Sequence, residues 1–281
     1  MKEVKVALIQ MNVVCGAVAE NMANAARMLD SVDKPYDIAV FPECIDYGWA
    51  NPASVAAAQP IPNAVTEYLC AMAKEKNIHI VAGITEKENE KLYNASLLID
   101  SNGKIIGKHR KINILTEVEY IYSVGESISV FDTVFGKIGI PICADNLINS
   151  TVIAESMARM GCDFILSPCS WAVNEQFSLT KATYGAEWIE PYTKIASIYK
   201  IPVVGVSNVG KVTCGAWEGH RCIGNSIAVT ADCDVITLPF GETAECSRVV
   251  NLKIYNRPAL GTALSDLIGV KKFTKSSYET P

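Results

Sequence analysis

A layered α/β fold, with mixed sheets held between helix layers, is predicted by three features of this sequence. Apolar runs of strand length alternate with helical patterns almost from end to end, hairpin signals put antiparallel strands among them, and no linker interrupts the series. Mixed pairing with helices outside favours stacked sheets over an all-parallel doubly wound one.

Taken in order, "VKVALIQMNVV" reads as a strand, "NMANAARMLDSV" as a helix and "DIAVFPE" as a second strand. After the turn-rich "YGWANPASV", the stretch "NAVTEYLCAMAKEKN" carries apolar residues at helical spacing and leads into the strand "IHIVAGITE". "NASLLIDSNGKIIGKHRKIN" reads as two strands about "SNGK", since Asn-Gly favours the positive φ angles of a tight hairpin. "SISVFDTVFGKIGIPIC" offers another hairpin, "TVIAESMARMGC" a helix, "DFILSP" a strand, "YTKIASIYK" a helix and "IPVVGVSN" a strand. "CIGNSIAVTADCDVITLPF" and "CSRVVNLKI" close the series as strands. Residues 1–281 are therefore read as a single domain, with 259–281 a C-terminal tail holding a short helix and a polar end.

Composition excludes several classes of function. Nearly half of the 281 residues are apolar, yet no uninterrupted run approaches the ~18 that a membrane span needs. The net charge of −5, with "KHRKIN" the only dense basic run, leaves no footprint for nucleic acid or anionic lipid. The charged lead "MKEVKV" lacks the apolar core and cleavage site of a secretory signal, so a cytoplasmic location is expected. Ten scattered cysteines form no CxxC pair and no Cys/His ligand spacing, which argues against zinc or a thioredoxin-type motif and for free thiols in a reducing cytosol.

Three apolar runs end in a group that is costly to bury unless it is paired or put to use. They are Glu43 after "DIAVFP", Lys111 after "IIGKHR" and Cys143 after "KIGIPI". Each alone has a plain reading, as a turn cap, a solvated charge or core filler. Together they make a coherent site. The thiolate is the nucleophile, so a carboxylate can take the thiol proton. A lysine can then stabilise the oxyanion of an acyl-transfer intermediate, helped by the backbone N–H of Ala144.

The segments "FPECIDYGW", "HRKINIL" and "GKIGIPICADN" resemble the glutamate, lysine and cysteine segments of the nitrilase (carbon–nitrogen hydrolase) superfamily. The resemblance continues through "AESMARMGCDFILSPCSW" and "IPVVGVSNVG" to "CIGNSIAV", over roughly residues 4 to 255. It implies an α-β-β-α sandwich, usually paired through its outer helices into a homodimer or a higher homo-oligomer, and a Glu-Lys-Cys triad without metal or organic cofactor. Carried over by motif, Glu43 is the base, Lys111 the oxyanion-stabilising cation and Cys143 the nucleophile. A further glutamate that orients the lysine is expected in "TEVEYIYSVGE"; Glu119 fits the spacing to Gly125 better than Glu117 does.

The resemblance points to hydrolysis of a small linear amide. Relatives usually follow the nucleophile with an aromatic, an aspartate and an arginine, whereas this chain reads Ala144, Asp145, Asn146. The missing arginine weakens the alternative of an N-carbamoyl (ureide) substrate, and Ala144-Asp145 in place of Trp-Glu disfavours a nitrile. A catalytically idle binding subunit is the rival from another class. Trp171, in the loop matching a P-x-x-W segment, is the expected substrate-wall residue, with Tyr47, Trp49 and Trp188 as further candidates. Cys44 and Cys169 read as packing residues, His79 as a strand residue, and His109 as a neighbour on the Lys111 face of its strand. None of the three histidines, His220 included, has the context of a papain-like protease.

Overall fold

Strand β1 (Lys2–Gln10) shows how the layers arise. Its side chains alternate between two cores: Val4, Val6 and Leu8 pack with residues of a facing sheet, while Ala7 and Ile9 pack with helices on the other side. A strand buried on both faces reads as a near-continuous apolar run, as "VKVALIQ" does.

The computed structural model describes residues 2–33, 35–177 and 185–255. After β1 come α1 (Val18–Asp30), β2 (Ile38–Val40), α2 (Ser54–Ala57), α3 (Ala64–Lys76), β3 (His79–Glu88), β4 (Lys91–Ile99) and β5 (Ile105–Arg110). The second half continues with β6 (Phe131–Thr133), β7 (Gly136–Gly139), a 3-10 turn at Cys143–Asn146, α4 (Val152–Arg159), β8 (Phe164–Cys169) and β9 (Ala172–Val173). It closes with α5 (Ala186–Tyr199), β10 (Val203–Ser207), β11 (Val209–Lys211), β12 (Arg221–Ile223), β13 (Ile227–Val229), β14 (Val235–Thr237) and β15 (Cys246–Ile254).

One six-stranded sheet has the order β15-β1-β2-β3-β4-β5 and the other β14-β13-β10-β8-β7-β6, beside a small sheet β11-β12-β9. Both large sheets are mixed. Between them lies a core that includes Val40, Val81 and Leu98 of the first sheet and Ile138, Phe164, Leu166 and Val204 of the second. The first sheet's other face packs on α1 and α3 through Met22, Met28, Leu29 and Leu69. The second packs on α4 and α5 through Ile153, Met157, Trp188 and Tyr192. Helix, sheet, sheet, helix is the expected α-β-β-α sandwich.

The local signals act as expected in most places. The "SNGK" turn joins β4 to β5 antiparallel, and Gly103 adopts φ +78° there. Helix α3 opens on a reciprocal cap between Asn63 and Thr66 and closes on left-handed Asn77. Helix α5 differs: it starts before Pro191 rather than after it. The proline removes one backbone bond, while Trp188, Tyr192 and Ile195 hold the buried face through it.

One expectation is corrected. Cys15 and Cys214 form a disulfide, so the ten cysteines are not all free; the other eight are. The pair is 199 residues apart, and no spacing rule could have joined it. The thiol argument for a reducing cytoplasm thereby loses its support. The tail at 259–281 lies outside the described residues. Among the described residues, no helix is long and apolar enough to cross a membrane.

Candidate active site

Glu43 is held against both sheets. Its backbone N–H donates to Cys169 O at 3.2 Å, across to the second sheet, and its Cα stands over Gly83 of β3. A Cβ at Gly83 would fall 2.5 Å from Glu43 Cα, so only glycine permits this approach. Lys111 follows β5 directly and is anchored to β4, its N–H donating to Asn94 O at 2.8 Å. The two head groups meet: Lys111 Nζ donates to Glu43 Oε1 at 2.9 Å and to Glu119 Oε1 at 2.7 Å, with all three side chains fully buried.

The structure brings Glu119 to the lysine and leaves Glu117 exposed. Glu119 is itself pinned, accepting from Trp49 Nε1 at 2.6 Å and, through Oε2, from Leu115 N at 2.9 Å. Asn94 spans the pair, its Nδ2 donating to Glu43 Oε1 at 2.6 Å and to Glu119 Oε1 at 3.2 Å. These bonds leave Glu43 Oε2 buried with no partner among the described residues. Asn94 is a site residue that the sequence does not announce. Its one signal is a lone amide inside the apolar strand "KLYNASLLI".

Cys143 arrives from the other sheet. Strand pairing of β7 ends at Gly139, and "IPI" carries the chain on to a 3-10 turn that begins at the cysteine. Cys143 has φ +43°, a left-handed conformation that costs a non-glycine residue on the order of 1 kcal/mol or more. Ala144 follows in the same turn, and its carbonyl accepts from Ser150 Oγ at 2.6 Å.

The charges of the site act on one another. Burial works to lower the Lys111 ammonium, but Glu119 and Glu43 outweigh it and hold the group well above its usual range. Burial, with Glu119 adding to it, pushes the Glu43 carboxyl up, and Lys111 and Asn94 draw part of that back. Hydrogen bonding with Cys169, burial and the nearby Glu43 raise the Cys143 thiol well above its ordinary value, while Lys111 acts in the opposite sense. At rest the sulfur is therefore a neutral thiol.

Sequence and fold agree on where this site belongs. The carbon-nitrogen hydrolase family model matches residues 5–252. The chain belongs to the carbon-nitrogen hydrolase family. It is 28% identical over 258 residues to a nitrilase of Pyrococcus abyssi (strain GE5 / Orsay), covering 90% of each chain. It is 30% identical over 179 residues to omega-amidase NIT2-A of Xenopus laevis, an alignment that covers 60% of this chain and 64% of the frog protein. In fold it is similar to a carbon-nitrogen hydrolase from Helicobacter pylori G27, with a TM-score of 0.79 at 19% identity over 89% of each chain.

The remaining candidates of this carbon-nitrogen hydrolase fall into place unevenly. Trp171 is buried, shares a core cluster with Cys143 and stacks on Trp188 with ring centres 4.4 Å apart; neither indole N–H has a partner among the described residues. Trp49, a candidate apolar wall, is instead the donor to Glu119. Tyr47 reaches away, its hydroxyl donating to Ala57 O at 2.9 Å. Cys169 is buried, its thiol 3.5 Å from the Ser167 hydroxyl and 3.8 Å from that of Tyr192, and Cys44 is buried against Tyr122. His79 meets Phe135 edge-on, His220 stacks on Trp217, and His109 bonds to Asp145 at 2.9 Å.

Proposed function

We propose that this carbon–nitrogen hydrolase is an amidase that opens small linear amides through a thioester on Cys143, with Glu43 and Lys111 completing the triad. The observation that carries the reading is the division of labour at Glu43. Oε1 is taken up by Lys111 and Asn94, while Oε2 is buried and bare among the described residues, an acceptor left free to take a proton. The frog relative's name, omega-amidase, supports the same reaction class.

The steps follow from these groups. Glu43 Oε2 takes the thiol proton as Cys143 Sγ attacks the amide carbonyl. The oxyanion is stabilised by the Lys111 ammonium and the Ala144 N–H. Collapse breaks the C–N bond, and Glu43 returns its proton to the departing ammonia or amine. Water, deprotonated by Glu43, then attacks the thioester, releasing the carboxylic acid and restoring the thiol. Glu119, Asn94 and Trp49 keep the lysine aimed throughout. Trp171, in the same core cluster as Cys143, is the proposed wall for the acyl group.

An ammonia-release screen over short amides, ureides and nitriles tests the reading. Turnover of an amide to its acid is expected, falling more than about a thousandfold in Cys143→Ala. Unchanged amide turnover in that variant would end the proposal, and carbon dioxide released together with ammonia would move the substrate to the ureides. Pairing of two copies through the outer helices is proposed as well, since Ile148, Val152, Met160 and Ile198 are exposed around α4 and α5. A monomeric mass in sedimentation equilibrium would refute the pairing.

A further inference from the structure

Lys111 and Cys143 belong to different sheets, so the distance between the attacking sulfur and the oxyanion-binding ammonium is set by whatever joins the sheets at that end. One buried carboxylate does so. Asp145 Oδ1 accepts from Ile112 N at 3.1 Å, Asn113 N at 2.8 Å and Asn113 Nδ2 at 3.1 Å, all just beyond the lysine. Oδ2 accepts from Ile142 N at 3.1 Å, the residue just before the nucleophile, and from His109 Nε2 at 2.9 Å. Asp145 N–H in turn donates to Ile142 O at 2.8 Å, closing the turn that keeps Cys143 at positive φ.

The ionisation of the aspartate suits it to join the sheets. Burial works to raise its pKa, but the His109 bond and the backbone N–H groups outweigh that and hold it below the ordinary carboxylate value. An ionised carboxylate has no proton to give, so His109 Nε2–H is the donor, and Nδ1, buried with no partner among the described residues, makes no competing bond. His109 stands two residues before Lys111 on β5, opposite Ser96 of β4, whose hydroxyl donates to Ile140 O on the nucleophile's approach.

We propose that His109 and Asp145 form a positioning pair that fixes the Cys143 turn against the Lys111 loop, and that His109 acts on the reaction only through the aspartate it holds. This rests on the triad assigned above. Loss of the imidazole donor lets Asp145 swing and uncouples sulfur from ammonium, while the substrate's contacts stay as they were. The signature is therefore a loss in kcat with little change in KM, restored by any side chain that returns an N–H to the Nε2 position.

The test compares His109→Phe with His109→Gln, whose amide nitrogen can stand near imidazole Nε2, using the best amide from the screen. A second readout is the rate at which iodoacetamide alkylates Cys143, followed by peptide mapping. Expected for His109→Phe is a fall of about tenfold or more in kcat and in alkylation rate, with KM within about threefold; His109→Gln recovers to within about fivefold of the native protein. Full activity in His109→Phe overturns the pair, as does a His109→Gln variant that regains native stability but not kcat. Should His109→Phe fail to fold, Asn113→Ala, which removes only one donor from Oδ1, is expected to lower kcat about two- to fivefold, the effect of a slight misplacement, and no loss there counts as refutation. The triad itself is controlled separately: a Cys143→Ala variant that still turns over amides defeats the triad, whereas loss in that variant beside an unaffected His109→Phe defeats the pair alone.

Discussion

The two halves of the site are held in place by different physics. On the first sheet, Glu43, Lys111 and Glu119 are locked by charge, one ammonium between two carboxylates with Asn94 and Trp49 supplying further donors. On the second sheet, Cys143 carries no charge at rest and is presented by backbone shape, a positive-φ residue in a turn closed by Asp145. The electrostatic half is rigid because any member that leaves strands a buried charge. The cysteine half holds its sulfur as a neutral thiol at rest. A site made this way stakes buried charge on the head groups of one side, while on the other the charge, that of Asp145, lies in the turn and not on the sulfur.

The sharpest way to break that contrast is Lys111→Met. With the cation gone, two carboxylates face each other without compensation, and a loss of about 3–5 kcal/mol in stability is expected alongside loss of turnover. Cys143→Ala, by contrast, should abolish turnover with little change in stability. Urea denaturation of the two variants side by side measures the difference, and equal stabilities would mean that charge does not lock the first half.

A smaller effect is expected from the rim. The Cys15–Cys214 disulfide ties down the loop in which Gly215 packs on Ala50 O and Trp217 packs edge-on against Trp49, the donor to Glu119. Cys214→Ser should lower stability by about 2–4 kcal/mol, and the native protein under strong reductant should fall to the same denaturation midpoint. A midpoint indifferent to reductant would detach this bond from the stability of the site.

Gly83→Ala comes next. The added methyl would lie 2.5 Å from Glu43 Cα and 2.9 Å from Cys44 N, backbone atoms that have to move. A loss of about 1–3 kcal/mol is expected, with lower kcat because the displaced group is the proposed base. Thermal melts and initial rates check both.

The gentlest perturbation is pH. Burial raises Glu43, and a base works only when ionised, so the acid limb of kcat/KM should lie above the ordinary carboxyl value of 4.5. Glu119→Gln removes the neighbouring negative charge that adds to this rise, and should move the limb down. A limb at or below 4.5 in the native protein, or an upward move in the variant, would contradict the charge balance described for the first half.

Much of this is legible in the sequence, for identifiable reasons. Glu43, Lys111 and Cys143 each interrupt or end an apolar run, and the cost of burying such groups makes them conspicuous. The strand patterns read correctly because the central strands of both large sheets are buried on both faces and write apolar runs into the chain. Asn94 is not legible, since one polar residue in a strand has no local pattern. Trp49 draws notice for its ring when its indole N–H is what counts. The start of α5 is hidden because proline is a local signal and the packing of Trp188 and Tyr192 overrides it.

By itself the sequence determined which segments become strands and helices and which side chains carry reactive chemistry, because periodicity and burial cost act over a few residues. Only the tertiary structure decided that Asn94 spans Glu43 and Glu119, that Asp145 joins the two sheets, and that Cys15 finds Cys214. Those pairings depend on where distant segments come to rest, and that is fixed by the packing of two sheets against each other rather than by any pattern along the chain.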